Sequence, residues 1–355
     1  MKPLSIGSFA AANTGASGVI PPPPVSEWTL RTASADKNWW DIAWSPTLGK
    51  FAAVAQGLSV LSTDNPFMSS SDGLTWTAGA SASGASMDFR GIGWGGPVGN
   101  EQFVAAGTRG STFKEIYTSV DGQNWVVGKG HTYFFRSVTW NGTAWFFTAD
   151  QGFVGYWNGL SGGNIVQSTA QTYSGAEGSG FWGGPVGNEK LFILGGPGPY
   201  SGAKYIQRSS RTNGGGWAYC RGNVPNLTYR KAAYGNGVYV AVASAYNSGQ
   251  GQVVTSPDGE DWTQQTLDPT QSAVEWRNVI FDGTRFIAVG RVASVSPTPP
   301  PSAVLAMTST DGVNWTTETT PNVSTSWRGL AHNGSGLVAA AGNGVSATEA
   351  VMTKS

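Results

Sequence analysis

Two recurring phrases hold the side chains with chemical potential in this 355-residue chain. The first is Ser-x-Asp-Gly-x-x-Trp, at residues 70–76, 119–125, 256–262 and 309–315, with a worn copy at 213–217 that has Asn for Asp. Each full copy sets a carboxylate (Asp72, Asp121, Asp258, Asp311) beside a hydroxyl, which is raw material for acid–base work. An Asp followed by Gly in a tight turn, however, accepts hydrogen bonds from its own backbone two residues on. The Trp that follows (Trp76, Trp125, Trp262, Trp315) is a packing residue between layers. The Asp and Trp of the phrase are therefore read as structural, and no catalytic residue is assigned.

The second phrase is an aromatic followed by arginine, giving Arg90, Arg136, Arg230, Arg277 and Arg328. A guanidinium presents a rigid fork of donors to carboxylate, sulfate or phosphate. Five brought to one place would make an anion site. A residue repeated unit by unit also has a structural reading, as a bond to the neighbouring unit or a cation stacked on an aromatic ring. Both readings stand on the sequence.

The elements that would position these residues follow from the spacing. The Trp intervals of 49, 92, 45 and 53 residues give a period of about 47, the mark of an array of small β-sheets. Each aromatic–Arg lead opens an alternating run, a tight turn such as Asn141-Gly142, Asp282-Gly283 or Asn333-Gly334, and a second apolar run. The leads span 89–106, 135–148, 229–243, 276–289 and 327–341, with divergent copies at 39–54 and 177–194. The Asp-Gly phrase turns a second hairpin. Four antiparallel strands per unit, seven units, predict an all-β, seven-bladed β-propeller.

The ends predict how it closes. Residues 351–355 read as a third strand with no fourth after it, and residues 26–32, with Trp28 placed 48 residues before Trp76, as a fourth strand with no third. The N-terminal strand is expected to complete the last blade, which leaves no open edges. The chain thus divides into an extended Pro-rich arm over 1–25, carrying Pro21 to Pro24, and a propeller over 26–355.

Strand parity puts the stereotyped turns on one face and the loops 56–66, 109–114, 195–203, 245–252 and 291–302 on the other, with the starts of the innermost strands. Variable loops on a rigid scaffold are where recognition normally lives. That face is expected to bind, through the five arginines at the channel mouth and through Tyr200 and Tyr246 in the loops.

Composition narrows the partners. Charged residues are 12% and the net charge is zero, which argues against nucleic-acid binding by counterion release. One cysteine, Cys220, excludes an internal disulfide, and two histidines exclude a His-rich metal site. No metal site or cofactor is assigned, with oxygen ligands for calcium left open. No apolar run approaches the roughly 20 residues of a membrane helix, so no membrane insertion is expected. The apolar stretch after Pro3 is short and broken by Ser and Gly, unlike a secretion signal.

The Ser-x-Asp-Gly-x-x-Trp phrase resembles the Asp-box, or BNR repeat, of sialidase-type propellers over nearly all of 26–355, and its form here is similar to repeats of bacteriophage virion and bacterial surface proteins. The resemblance implies a non-enzymatic virion protein of tail or capsid surface. The arm would join other virion proteins, and the loop face would meet a host-surface glycan. A secreted or cell-surface lectin is the alternative, and a sialidase-like glycoside hydrolase the second. The last needs a Tyr–Glu pair and an acid/base carboxylate beside the arginines. The carboxylates expected on that face (Asp36, Asp88, Glu115, Asp150, Glu177, Glu275) show no such signature.

Overall fold

The computed structural model describes residues 28–355 except 57–64, 82–87, 110–112, 132, 150–153, 160–164, 169–178, 197–205, 210–215, 224–226, 246–249, 293–304, 322–325 and 344–345. The arm, most of the variable loops, Tyr200 and Tyr246 lie outside the described residues.

Seven sheets form, each built on four antiparallel strands a to d that are consecutive in sequence except in the blade that the N-terminal strand completes. The chain begins with β1 (Thr29–Arg31). Blade 1 is β2 (Asn38–Ser45), β3 (Lys50–Gln56), β4 (Phe67–Ser70) and β5 (Thr77–Ala78). After β6 (Ala80–Ser81), blade 2 is β7 (Asp88–Gly95), β8 (Gln102–Arg109), β9 (Phe113–Ser119) and β10 (Asn124–Gly130). Blade 3 is β11 (Phe135–Trp140), β12 (Trp145–Ala149), β13 (Val154–Trp157) and β14 (Val166–Ser168). Blade 4 is β15 (Ser179–Gly183), β16 (Lys190–Leu194), β17 (Ile206–Ser209) and β18 (Ala218–Tyr219). After β19 (Arg221–Asn223), blade 5 is β20 (Leu227–Gly235), β21 (Val238–Ala245), β22 (Gly251–Ser256) and β23 (Asp261–Gln265). Blade 6 is β24 (Val274–Phe281), β25 (Phe286–Val292), β26 (Ala306–Ser309) and β27 (Thr316–Glu318). Blade 7 is β28 (Ser326–His332), β29 (Val338–Asn343) and β30 (Val351–Lys354), completed by β1.

Closure is as the ends predict: β1 pairs antiparallel with β30, Thr29 opposite Thr353 and Arg31 opposite Val351. The joint is tied to blade 6 as well. Trp28 is 4% exposed and its indole Nε1–H donates to Glu318 Oε2 at 2.9 Å, while Lys354 Nζ meets the other oxygen of the same carboxylate. In strand order, a fourth strand starts, and a third ends, on the face of the a–b and c–d turns. Both β1 and β30 therefore open onto that face.

Two short strands add an unpredicted feature. β6 and β19 pair parallel with the outermost strands β10 and β23 of the next blade, giving blades 2 and 5 a fifth strand. Each covers an edge that would otherwise present unpaired backbone groups.

The core lies between blades. Trp125 stacks on Phe67 of the preceding blade with centroids 4.2 Å apart and planes 6° off parallel, and Trp262 meets Phe192 of the preceding blade edge-on at 6.0 Å. The Asp of each phrase is spent on its own turn. Asp311 Oδ1 accepts from the Val313 and Asn314 N–H groups (2.8 Å each) and from the Ser309 hydroxyl (2.9 Å), and Ser309 Oγ accepts from the Gly312 N–H at 2.9 Å. The same bonds recur at Asp72, Asp121 and Asp258. Burial, the largest single effect, would raise the carboxyls of Asp121 and Asp311, but these bonds together outweigh it and hold both down at about 2. Gly312, at φ +74°, supplies the left-handed residue the turn needs.

Candidate anion site at the channel mouth

Innermost strands set the site. In a regular strand, alternation would send an aromatic and the next residue to opposite faces. In six blades the register slips by one residue at this point: between Trp39 and Asp41, Phe89 and Gly91, Phe135 and Ser137, Tyr229 and Lys231, Trp276 and Asn278, and Trp327 and Gly329. A β-bulge re-aims one side chain and increases local twist. The residue left without a partner is Trp40 in blade 1 and the recurring arginine in blades 2, 3, 5, 6 and 7. The aromatic before it is almost fully buried each time, from Trp39 at 0% to Phe135 at 3%. So the lead phrase encodes an anchor and, beside it, a side chain turned toward the channel. Blade 4 pairs from Ser179 without a described bulge and contributes that serine.

All five predicted arginines line one pocket of about 520 Å³, counted to its open mouth, with Trp40, Asp41, Ser179 and Lys231. Their individual settings differ. On the blade 5–6 side the buried Glu275 gathers three guanidiniums: Arg230 at 2.7 Å, Arg277 at 2.9 Å and Arg291 at 2.7 Å. Burial alone would raise the Glu275 carboxyl, but Arg277, Arg230 and Arg291 outweigh it and hold it below the usual glutamate range. On the other side, the guanidinium carbons of Arg328 and Arg90, from the two blades flanking blade 1, lie 3.9 Å and 4.5 Å from the Trp40 ring centre. Arg90 is further paired with Asp88 at 3.1 Å. Arg328 Nε is buried without a hydrogen-bond partner.

The arginines make structural bonds and also converge on one pocket. They tie blade to blade, as Arg230 of blade 5 does to Glu275 of blade 6, and they converge on the mouth. Crowding has an electrostatic cost. Burial, with neighbouring cations, pulls Arg230 down to about 9 and Arg328 to about 10; burial, partly offset by Glu275, pulls Arg277 to about 10. All three stay charged at neutral pH.

The floor is an ion pair across the channel. Lys231 Nζ of blade 5 lies 3.4 Å from Asp41 Oδ2 of blade 1. Asp41 also accepts from the Ile42 N–H (3.1 Å) and the Ile92 N–H of blade 2 (3.5 Å). Burial raises the Asp41 carboxyl, partly opposed by Lys231 and these amides. Below this pair the channel continues as a wider space lined by Ile42, Ile92, Val279, Phe281 and Leu330.

Sequence reasoning missed Trp40, Asp41, Lys231 and Ser179, and it classed Glu275 with scattered carboxylates. The signal for three of them was present: Trp40 occupies the arginine position of its repeat, and Asp41 and Lys231 follow that position directly. Of the other carboxylates, Glu115 accepts from the Tyr117 hydroxyl at 3.0 Å, and Asp150 and Glu177 lie outside the described residues. No group of three or more His, Cys, Asp or Glu suited to a metal occurs among the described residues.

No family model and no curated protein matches the chain. Solved structures do. YCF48 bound to D1 peptide superposes with a TM-score of 0.64 at 11% identity, over 94% of this chain and 98% of that one. Virginiamycin B lyase from Staphylococcus aureus gives 0.63 at 11%, over 92% and 99%. The GH74 xyloglucanase from Xanthomonas campestris gives 0.62 at 11%, over 92% of this chain and 53% of that one. At such identities the likeness is one of fold, and it spans binding proteins and enzymes alike.

Proposed function

We propose that this chain is a non-catalytic recognition propeller that takes an anionic group of its ligand into the arginine mouth, and that it serves as an adhesion component on a bacteriophage virion. One observation carries the binding reading: five blades deliver five guanidiniums to one open pocket, an arrangement that costs stability through desolvation and mutual repulsion. Groups held at such a cost are commonly functional. A non-catalytic role is favoured by the state of the described carboxylates at the mouth. Glu275 is held as an anion by three arginines, so it is not poised to deliver a proton, and Asp41 is engaged by Lys231 and two amides rather than facing a second free carboxylate. The virion setting rests on the form of the repeats, the charge-poor composition and the Pro-rich segment over 1–25 as an attachment arm.

An array of neutral and anionic glycans tests the first part. Capture should be confined to anionic members and be lost near 0.5 M salt, where exposed charges are screened beyond about 4 Å. Equal capture of neutral glycans would favour the lectin alternative. Turnover of fluorogenic sialosides or hexosides would overturn the non-catalytic reading. For the setting, deletion of residues 1–24 should abolish incorporation into particles; unchanged incorporation would refute the arm as anchor.

A further inference from the structure

The mouth is not evenly charged. Six cations line it with Asp41, and Arg291 stands behind it with Asp88 and Glu275, so among these residues an excess of four positive charges remains. Glu275 already occupies the place where a planar carboxylate would be gripped, between Arg230 and Arg277. The opposite side is different: Arg328 is stacked on Trp40 rather than paired with a carboxylate. Donors that converge from several blades around one axis suit an acceptor with oxygens pointing several ways. A carboxylate offers two coplanar oxygens, and a phosphate monoester offers three in a tetrahedral fan with close to two negative charges at neutral pH.

We infer that the mouth recognises the phosphoryl group of a phosphate monoester, seated over Arg328 and Trp40 on the side that Glu275 does not hold. This rests on the anion-binding reading above. Glu275 then acts as a resident counter-ion: it keeps the blade 5–6 arginines folded in place and excludes single carboxylates from them.

Calorimetric titration at pH 7.5 and low salt tests it, with inorganic phosphate, phenyl phosphate, phenyl sulfate, benzoate and acetate as probes. Phenyl phosphate is expected to bind about tenfold or more tightly than phenyl sulfate, which has nearly the same shape and one charge fewer, and than benzoate. Arg328→Gln should weaken phenyl phosphate about tenfold, with Arg328→Lys intermediate because the charge remains and the stacked fork is lost. Glu275→Gln, if folded by circular dichroism, should admit benzoate and acetate. Phenyl sulfate or benzoate binding as tightly as phenyl phosphate would overturn the phosphoryl assignment and leave anion recognition standing. No binding of any anion would overturn both. Unchanged phenyl phosphate affinity in folded Arg328→Gln and Arg328→Lys would overturn the seat.

Discussion

Replacement of Trp28 by alanine strikes the ring at the seam where its first and last strands meet. Trp28 sits just before the strand that closes blade 7 and is 4% exposed. Burying a tryptophan removes some 150–250 Å² from water, worth about 4–6 kcal/mol as an upper bound. Truncation to alanine in a packed site costs about 3–5 kcal/mol. With an unfolding entropy of about 2.1 cal/mol/K per residue, each kcal/mol moves the melting temperature of a chain this long by about 1.3 °C. Trp28→Ala should therefore melt about 4–7 °C below the parent. Trp28→Phe keeps most of the apolar area and loses the 2.9 Å bond to Glu318, so a loss of about 2–4 °C is expected. Val98→Ala, at a turn position 95% exposed, is the control and should melt within 1 °C of the parent on the order expected for surface sites. Differential scanning calorimetry, with light scattering to follow association of the opened edge, makes the comparison. A Trp28→Ala protein melting with the control would refute the claim that this seam holds the ring shut.

Three further outcomes follow from the geometry. Asp311→Ala should lower the melting temperature measurably and Asp311→Asn much less, since an amide oxygen retains the acceptor used by Val313 and Asn314; equal losses would refute the turn role. The carboxyls of Asp72, Asp121, Asp258, Asp311 and Glu275 all lie below their ordinary values in the folded chain. Their contribution is then fully present above the unfolded range near pH 4 and is lost as pH falls toward about 2, so a melting temperature unchanged from pH 5 to pH 2 would contradict it. Gly91→Ala places a Cβ 2.8 Å from the Ser137 Cα of the next blade and should cost about 1–3 kcal/mol by urea denaturation; no loss would mean the innermost strands spread freely.

Much of this architecture is encoded locally, which is why the sequence reveals it. Asp-Gly turns, the period of about 47 residues and the phase of Trp28 are properties of neighbouring residues repeated, and the seven sheets follow them. The site is encoded differently. Arginine recurrence marks which side chains the bulges turn inward, so the five arginines were readable. The pairing of Lys231 with Asp41 was not, because the two stand 190 residues apart and meet only when the ring closes. Glu275 was present in the sequence as one glutamate among many; its meaning comes from Arg230 on the blade before it and Arg291 on the strand beside it. The parallel fifth strands β6 and β19 had no signal at all, being two and three residues long.

The seam between β1 and β30 fixes more than stability. The first strand starts and the last strand ends on the face of the Asp-Gly turns, and the arginines open on the other. Anything joined to this propeller at the start of β1 or the end of β30 is joined at its back. A partner joined there would leave the mouth facing away from the joint, like a cup on a stalk. The same geometry makes the end of β30 a usable handle for immobilising the protein without masking the arginines.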